Sequence, residues 1–493
     1  MLGVIALALA ARLFGIESRP IWYDEAFSVL FAEKGPAAAL TEAVSRGGAG
    51  TMDVHPLGYY VILWEWMRLF GQTLVSVRVL SVVAGVGAVL VIYLLARGLF
   101  GRGTALAAGI IAALSPIQVH YGQEIRMYSF LCLWLMLATY CYWRGSRSSH
   151  WTWWFGFAAF AAVAEYTQYL AAFYLMALAA WPLLTRNWRA LKSVVASALL
   201  AIVFCLPWLI HVPAQFATVD RTYWIDRPGL YRLLTLALVF VTNLPLPGWQ
   251  LGAGLFIALC VVSAGLLQTA SAVRRGQPDS QMGLWLLFLA FIPPILLFLF
   301  SQWIPIYLER ALLPSGAIFC AWLAWSIMAA HSPMIARQLT IVLLTAGFAL
   351  GLYEHVTYAG FPYGPFGSIA ASLKARRQSG DVIIHSSKLS MLPTAYYDRN
   401  LPETFVADPP GSPVDTLAPG TQKTLGLEAQ PDIESAAGNA DRVWFILFDE
   451  SNLEYVKAGY PEHPHLSWLM AHYRLIEDRN WGDISVYLFS KAK

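Results

Sequence analysis

Charge is scarce in this chain: Asp, Glu, Lys and Arg supply 13% of its 493 residues, while 58% are hydrophobic. A soluble fold of this length could not cover so much apolar surface, so the composition excludes a soluble enzyme and implies a polytopic helical membrane protein. Cysteine is scarcer still. All five cysteines (Cys132, Cys141, Cys205, Cys260, Cys320) fall in apolar runs, which excludes a disulfide framework and a CxxC metal site. There is no basic block of the kind nucleic acid would need, no low-complexity tract and no internal repeat. The apolar start also lacks a basic n-region, so it reads as a first membrane helix and not as a signal peptide.

The charges that are present divide the chain in two. Met1 to Gly360 holds 21 Lys and Arg against 14 Asp and Glu, and Phe361 to Lys493 holds 12 against 16. The expected organisation is an all-α membrane domain over 1–357, with a first outer loop at 16–76, followed by a soluble extracytoplasmic α/β domain over 358–493. Apolar runs at about 1–15, 77–97, 104–118, 129–143, 151–166, 169–185, 193–211, 252–272, 283–303, 310–330 and 338–357 predict about 11 transmembrane helices. Arg97 and Arg102, Arg144 and Arg147, Arg186 to Lys192, Arg274 and Arg275, and Arg337 fall in alternate loops, which the positive-inside rule assigns to the cytoplasm. The N-terminus then lies inside and the C-terminal domain outside. Two further apolar stretches, 57–70 and 230–247, must lie in the outer interface, because as full spans they would reverse the loops. In the tail, a helix at 367–378, strands at 381–385, 442–448 and 484–489, a helix near 466–475 and a loop from Pro409 to Gly420 are expected.

Under that topology thirteen of the fourteen acids in the first 360 residues fall on or near the outer side, and only Asp279 falls inside. Acids contribute little to topology, so a polar cavity at the outer face explains them better. Four outer segments carry reactive side chains. They are Asp24-Glu25 within the stretch Arg19 to Ser28, then Asp53 to Tyr60 with His55 and Pro56, then the short loop His120 to Tyr128 with Gln123, Glu124 and Arg126, and Ile304 to Arg310 with Tyr307 and Glu309. Taken singly, each has a plainer reading: Asp24 as a helix cap, Arg126 and Arg310 as arginines reaching for headgroups. Their coincidence on one side is harder to explain that way.

These segments resemble the GT-C glycosyltransferases, in the bacterial branch of protein O-mannosyltransferases, lipid A aminoarabinose transferases and lipopolysaccharide galacturonosyltransferases. The resemblance covers residues 1 to about 360. It implies an inverting glycosyltransferase, moving a sugar from a polyprenyl-phosphate carrier to a lipid, glycan or protein acceptor at the outer face of a cell's inner membrane. By match to the family's acidic motif, Asp24 would be the general base, with Glu25 orienting it or helping to bind the acceptor. The second motif departs from the family, which commonly shows two prolines where Pro56 stands alone before Leu57.

The chemistry asks for these residue types independently. A positioned carboxylate takes the acceptor's proton, and an arginine fork matches a phosphate and stays charged. Arg126 and Arg310 are therefore assigned to the donor phosphate, with Tyr128 and Tyr307 as supporting donors. Glu124 would hold Arg126. Gln123, Glu309, Asp53, His55 and Tyr166 are supporting or substrate-binding candidates. Asp24, Glu25, Asp53 and His55 would alternatively suit a divalent cation, Mg or Mn. The competing class is a transporter or lipid-carrier flippase, for which inverted repeats and polar residues at mid-membrane would be expected.

Overall fold

The computed structural model describes residues 1–44, 55–148, 150–212, 225–328, 333–408 and 416–491. The first loop carries three helices after α1 (Leu2–Leu13): α2 (Tyr23–Ala32), α3 (Pro36–Val44) and α4 (Gly58–Phe70). The membrane helices follow as α5 (Leu74–Phe100), α6 (Arg102–Leu114), α7 (Pro116–Gly122), α8 (Tyr128–Arg147), α9 (Thr152–Glu165), α10 (Ala171–Leu184) and α11 (Trp188–Leu209). Next come α12 (Tyr231–Val241), α13 (Trp249–Arg274), α14 (Ser280–Phe300), a 3₁₀ turn at Glu309–Leu312, α15 (Leu313–Met328) and α16 (Met334–Thr357). The protein is a multi-pass membrane protein, but the count of eleven spans is not reproduced by length and hydropathy. Among the described residues six helices suffice alone, α5, α11, α13, α14, α16 and the turn joined to α15, or seven if α6 and α7 form one span. The stretches expected at the interface, 57–70 and 230–247, are the short helices α4 and α12.

The break between α6 and α7 has a sequence cause and a structural consequence. Ser115 precedes Pro116, which pushes it out of the helical region (φ −58°, ψ 122°), and the two helices meet at 57°. The last carbonyls of α6 lose their helical partners there. Arg12, fully buried on α1, donates to Ala113 O (3.2 Å) and Ala112 O (3.4 Å). Its side chain needs space, which Gly85 and Gly122 leave: a Cβ at either would come within 2.9 or 2.8 Å of Arg12 Nε. A buried basic residue on α1 thus satisfies carbonyls that the break between α6 and α7 leaves free.

Beyond α16 the chain becomes a mixed α/β unit: α17 (Phe366–Arg376), β1 (Val382–His385), α18 (Lys388–Tyr397), β2 (Glu403–Val406), α19 (Pro419–Leu425), β3 (Ala429–Gln430), α20 (Ile433–Ala437), β4 (Arg442–Phe448), α21 (Asp449–Lys457), α22 (Pro464–His472), β5 (Tyr473–Asn480) and β6 (Ile484–Lys491). The sheet order is β3-β2-β1-β4-β6-β5, parallel from β3 to β4 and antiparallel beyond. The expected loop ends earlier than Gly420, because Pro419 opens α19 from the first helical position; residues 409–415 lie outside the described residues. The helix expected to 475 stops at His472, where Tyr473 turns extended and begins β5.

This unit rests on the first loop. α18 packs along α2, the Tyr396 hydroxyl donates to Gln72 O (2.7 Å), and Arg399 pairs with Glu33 (3.0 Å). The N-terminal turn of α2, where the acids sit, therefore lies between the membrane helices and the α/β unit.

Candidate active site

Adjacent residues on a helix point about 100° apart, so Asp24 and Glu25 face different neighbours. Asp24 turns to the 3₁₀ turn before α15: its Oδ2 lies 2.5 Å from Arg310 Nη1 and 3.9 Å from Arg126 Nε. Arg126 also donates to Ser28 Oγ (3.1 Å) and Asp24 O (3.3 Å). Burial alone would raise the Asp24 carboxyl; the guanidiniums of Arg310 and Arg126 outweigh it and hold the group below its ordinary value.

Glu25 turns the other way, to a residue the sequence reading did not single out. Arg78, buried on α5, donates through Nε to Glu25 Oε1 (3.0 Å) and through Nη2 to Oε2 (2.7 Å). The same guanidinium reaches Ile16 O (2.6 Å) and Arg19 O (2.9 Å), and Glu25 Oε1 accepts the Ile125 N–H (3.0 Å). Glu25 is spent on tying the first loop to the loop that carries Arg126.

The loop between α7 and α8 is clamped on both flanks of Glu124. Gln123 donates to Arg12 O and Phe14 O (both 2.8 Å), and Ile125 is held by Glu25. Glu124 itself is buried, with neither carboxyl oxygen hydrogen-bonded among the described residues; His120 Nε2 lies 3.8 Å from its Oε2. It does not hold Arg126 through its side chain.

The remaining candidates divide. Tyr128 lies under Arg310, whose guanidinium carbon is 5.5 Å from its ring centre and 5.9 Å from that of Trp22. The half-buried His55 is close enough for its charge to lower Asp24. Glu309 pairs with Arg232 of α12, and Tyr307 packs on Phe298 (6.2 Å), so neither is drawn into the Asp24 cluster. Tyr166 stands elsewhere too. Its carbonyl accepts the Gly58 N–H (3.0 Å), and its side chain lines an apolar groove of about 310 Å³ between α9, α10 and α11. Asp53 lies outside the described residues.

The described residues do not form a dication site. Among them no group of three His, Cys, Asp or Glu converges, and the charges of Asp24 and Glu25 are already met by arginines. Besides Arg78, sequence reasoning missed His355, and it gave no role to Arg19 and His120, which begin two of the stretches it singled out. Arg19 donates to His355 O (2.8 Å), His120 Nδ1 (2.9 Å) and the Tyr363 hydroxyl (3.1 Å). Single ionisable residues inside apolar runs, such as Arg78 and His355, were the available signal.

Fold and site together define a membrane protein with a polar, arginine-flanked carboxylate under an α/β cap. Residues 54–211 match the family described as dolichyl-phosphate-mannose-protein mannosyltransferase. An undecaprenyl phosphate-α-4-amino-4-deoxy-L-arabinose arabinosyl transferase of Pseudomonas aeruginosa is 30% identical over 275 residues, 52% of this chain and 48% of that protein. A putative mannosyltransferase of Bacillus subtilis is 30% identical over 36% of the chain and 26% of its own length. The chain thus spans about half the length of the arabinosyl transferase it matches. In structure it is similar to ArnT from Cupriavidus metallidurans, with a TM-score of 0.64 at 13% identity, covering 99% of this chain and 97% of that one. An oligosaccharyltransferase of Archaeoglobus fulgidus follows at 0.54 and 12%, covering 99% and 72%. The chain carries the fold of ArnT from Cupriavidus metallidurans, which agrees with the fold that the resemblance read from its motifs implies.

Proposed function

We propose that this protein is an inverting membrane glycosyltransferase, which moves a sugar from a polyprenyl-phosphate carrier to an acceptor hydroxyl at the outer face of the inner membrane. The observation that carries the reading is Asp24, held on the first turn of α2 between Arg310 and Arg126. In support, ArnT from Cupriavidus metallidurans has been solved bound to undecaprenyl phosphate, and the archaeal oligosaccharyltransferase with a dolichol-phosphate.

The donor's phosphate docks on Arg310 and Arg126, whose forks match its oxygens. Taking up those guanidiniums frees the Asp24 carboxylate from its ion pair. Asp24 then removes the proton of the acceptor hydroxyl, whose oxygen attacks the sugar carbon from the face opposite the phosphate. The apolar groove between α9, α10 and α11 suits a prenyl chain, since Tyr166 at its outer end touches the start of α4. Eleven spans, a cytoplasmic N-terminus and an outer α/β domain complete the reading, on the strength of the alternating basic loops.

The test separates the two roles. Asp24→Asn should lower turnover by about 10²–10⁴-fold, the usual worth of a general base, while binding of undecaprenyl phosphate persists. Arg310→Ala and Arg126→Ala should instead weaken that binding. Retained turnover in the first variant would remove Asp24 as the base, and unchanged affinity in both arginine variants would move the phosphate site elsewhere.

A further inference from the structure

Glu124 is a buried carboxyl that the reading above does not use. Its loop is pinned at Gln123 and Ile125, so the side chain is placed deliberately, yet both its oxygens lack a hydrogen bond among the described residues. A buried polar group of that kind is costly unless something else engages it. It borders a small cavity with room for about one water, whose wall also includes Trp22, His120 and His355.

The proton positions around this cavity can be deduced. Arg19 offers only N–H groups, and its Nη1 lies 2.9 Å from His120 Nδ1 and 3.4 Å from Nε2, so the nearer nitrogen, Nδ1, is the acceptor; Nε2 lies 3.8 Å from Glu124 Oε2. The Gln123 amide nitrogen donates to two carbonyls, so its oxygen accepts from His355 Nε2 (2.7 Å), leaving His355 Nδ1 as an unpartnered acceptor. Trp22 Nε1 is a donor with no partner among the described residues, and its ring lies 5.9 Å from the Arg310 guanidinium carbon. Trp22 therefore borders both the cavity that Glu124 lines and the guanidinium of Arg310.

We propose that Glu124 is the catalytic acid of the transfer, giving its proton, directly or through one water, to the phosphate that leaves. This rests on the transferase reading and names the acid that complements its base. The acceptor oxygen bonds to the sugar carbon as the carbon–oxygen bond to phosphate breaks, the electron pair going to the phosphate oxygen. The acceptor's proton passes to Asp24 and the Glu124 proton to that oxygen; the Asp24 proton then restores Glu124. Sugar and prenyl monophosphate part with all atoms and charges balanced.

Two carboxyls whose surroundings push them apart are the usual mark of an acid and a base sharing one site. Asp24 is held down by its arginines. Burial pushes Glu124 up to about 8; the charges of Glu25 and Asp24 add to this, and Arg310 and Arg126 oppose it. Arg19 and Arg78 face the same cavity, the latter already paired with Glu25. The other titratable neighbours are the rings of His120, His355, Tyr59, Tyr121, Tyr128 and Tyr363.

The test uses the full chain in lipid nanodiscs, with undecaprenyl phosphate as the probe. Difference infrared spectra should show a protonated-carboxyl band at neutral pH that titrates near 8, is lost in Glu124→Gln and moves in Glu124→Asp. The band should shift when phosphorus NMR shows undecaprenyl phosphate bound. A wild-type band that Glu124→Asp assigns to Glu124 and that bound undecaprenyl phosphate leaves unmoved would overturn the proposal, as would a spectrum unchanged in a folded Glu124→Gln. Failure of the wild type to bind undecaprenyl phosphate would instead strike the transferase reading, and the acid with it.

Discussion

Two neighbouring acids in one motif look equivalent in sequence, yet a helix sends them to different work. Asp24 meets the outer arginines, and Glu25 is buried against Arg78. Removing one member of a buried pair leaves the other charge uncompensated, at about 3–5 kcal/mol. Glu25→Ala and Arg78→Ala should therefore each destabilise the protein by about that amount. The double variant should cost less than the sum, with a coupling of about 0.5–3 kcal/mol in a thermal-unfolding cycle. Strict additivity would show that the pair does not act as a unit. That pairing was not legible beforehand. Arg78 sits 53 residues from Glu25 in an apolar run, and no local pattern connects them. The acids, Arg126 and Arg310 were legible because outer-face acids and arginines are unusual company in so apolar a chain.

At the scale of elements, periodicity and punctuation carried most of the information. The apolar runs became helices, and the β-branched runs at 382–385 and 442–448 became the parallel centre of the sheet. What escaped was set by tertiary pairing: β2 and β5 are short or highly charged, and they are strands because β1 and β6 lie beside them. Helix α22 offers a test of how one buried side chain holds an element. His463 Nδ1 accepts the His465 N–H (3.2 Å) at the helix start, and burial, with His465 adding, lowers its ring to about 3. An unfolded histidine titrates near 6.5, so between these values the unfolded chain binds a proton that the folded one refuses. The stability from the neutral ring is complete above about 6.5 and is lost as pH falls toward 3. His463→Asn keeps a capping acceptor and removes the titration. The fall in unfolding temperature of the full-length protein from pH 7 to pH 5 should shrink; an undiminished fall would place the acid lability elsewhere.

For the whole molecule, the decisive arrangement is that the site and the α/β unit share one end of the helices. Gln72, just before α5, accepts from Tyr396 of the α/β unit, so Arg97 at the other end of that 27-residue helix lies on the far side. His355, at the end of α16, meets Gln123 beside the site, so Arg337 at its start lies far as well. Arg97 and Arg337 are thus opposite the Asp24 cluster, and the proposed orientation, which follows from the positive-inside rule, puts them in the cytoplasm. The orientation is checked by two single substitutions at exposed positions, Lys457→Cys on α21 and His150→Cys between α8 and α9. The native cysteines are buried or half-buried in membrane helices, so they should give little background. A membrane-impermeant maleimide should label Lys457→Cys on intact cells and His150→Cys only after permeabilisation. The reverse pattern would put the carboxylate and its arginines in the cytoplasm, where the proposed acceptor chemistry would have to be rebuilt around a different supply of carrier and acceptor.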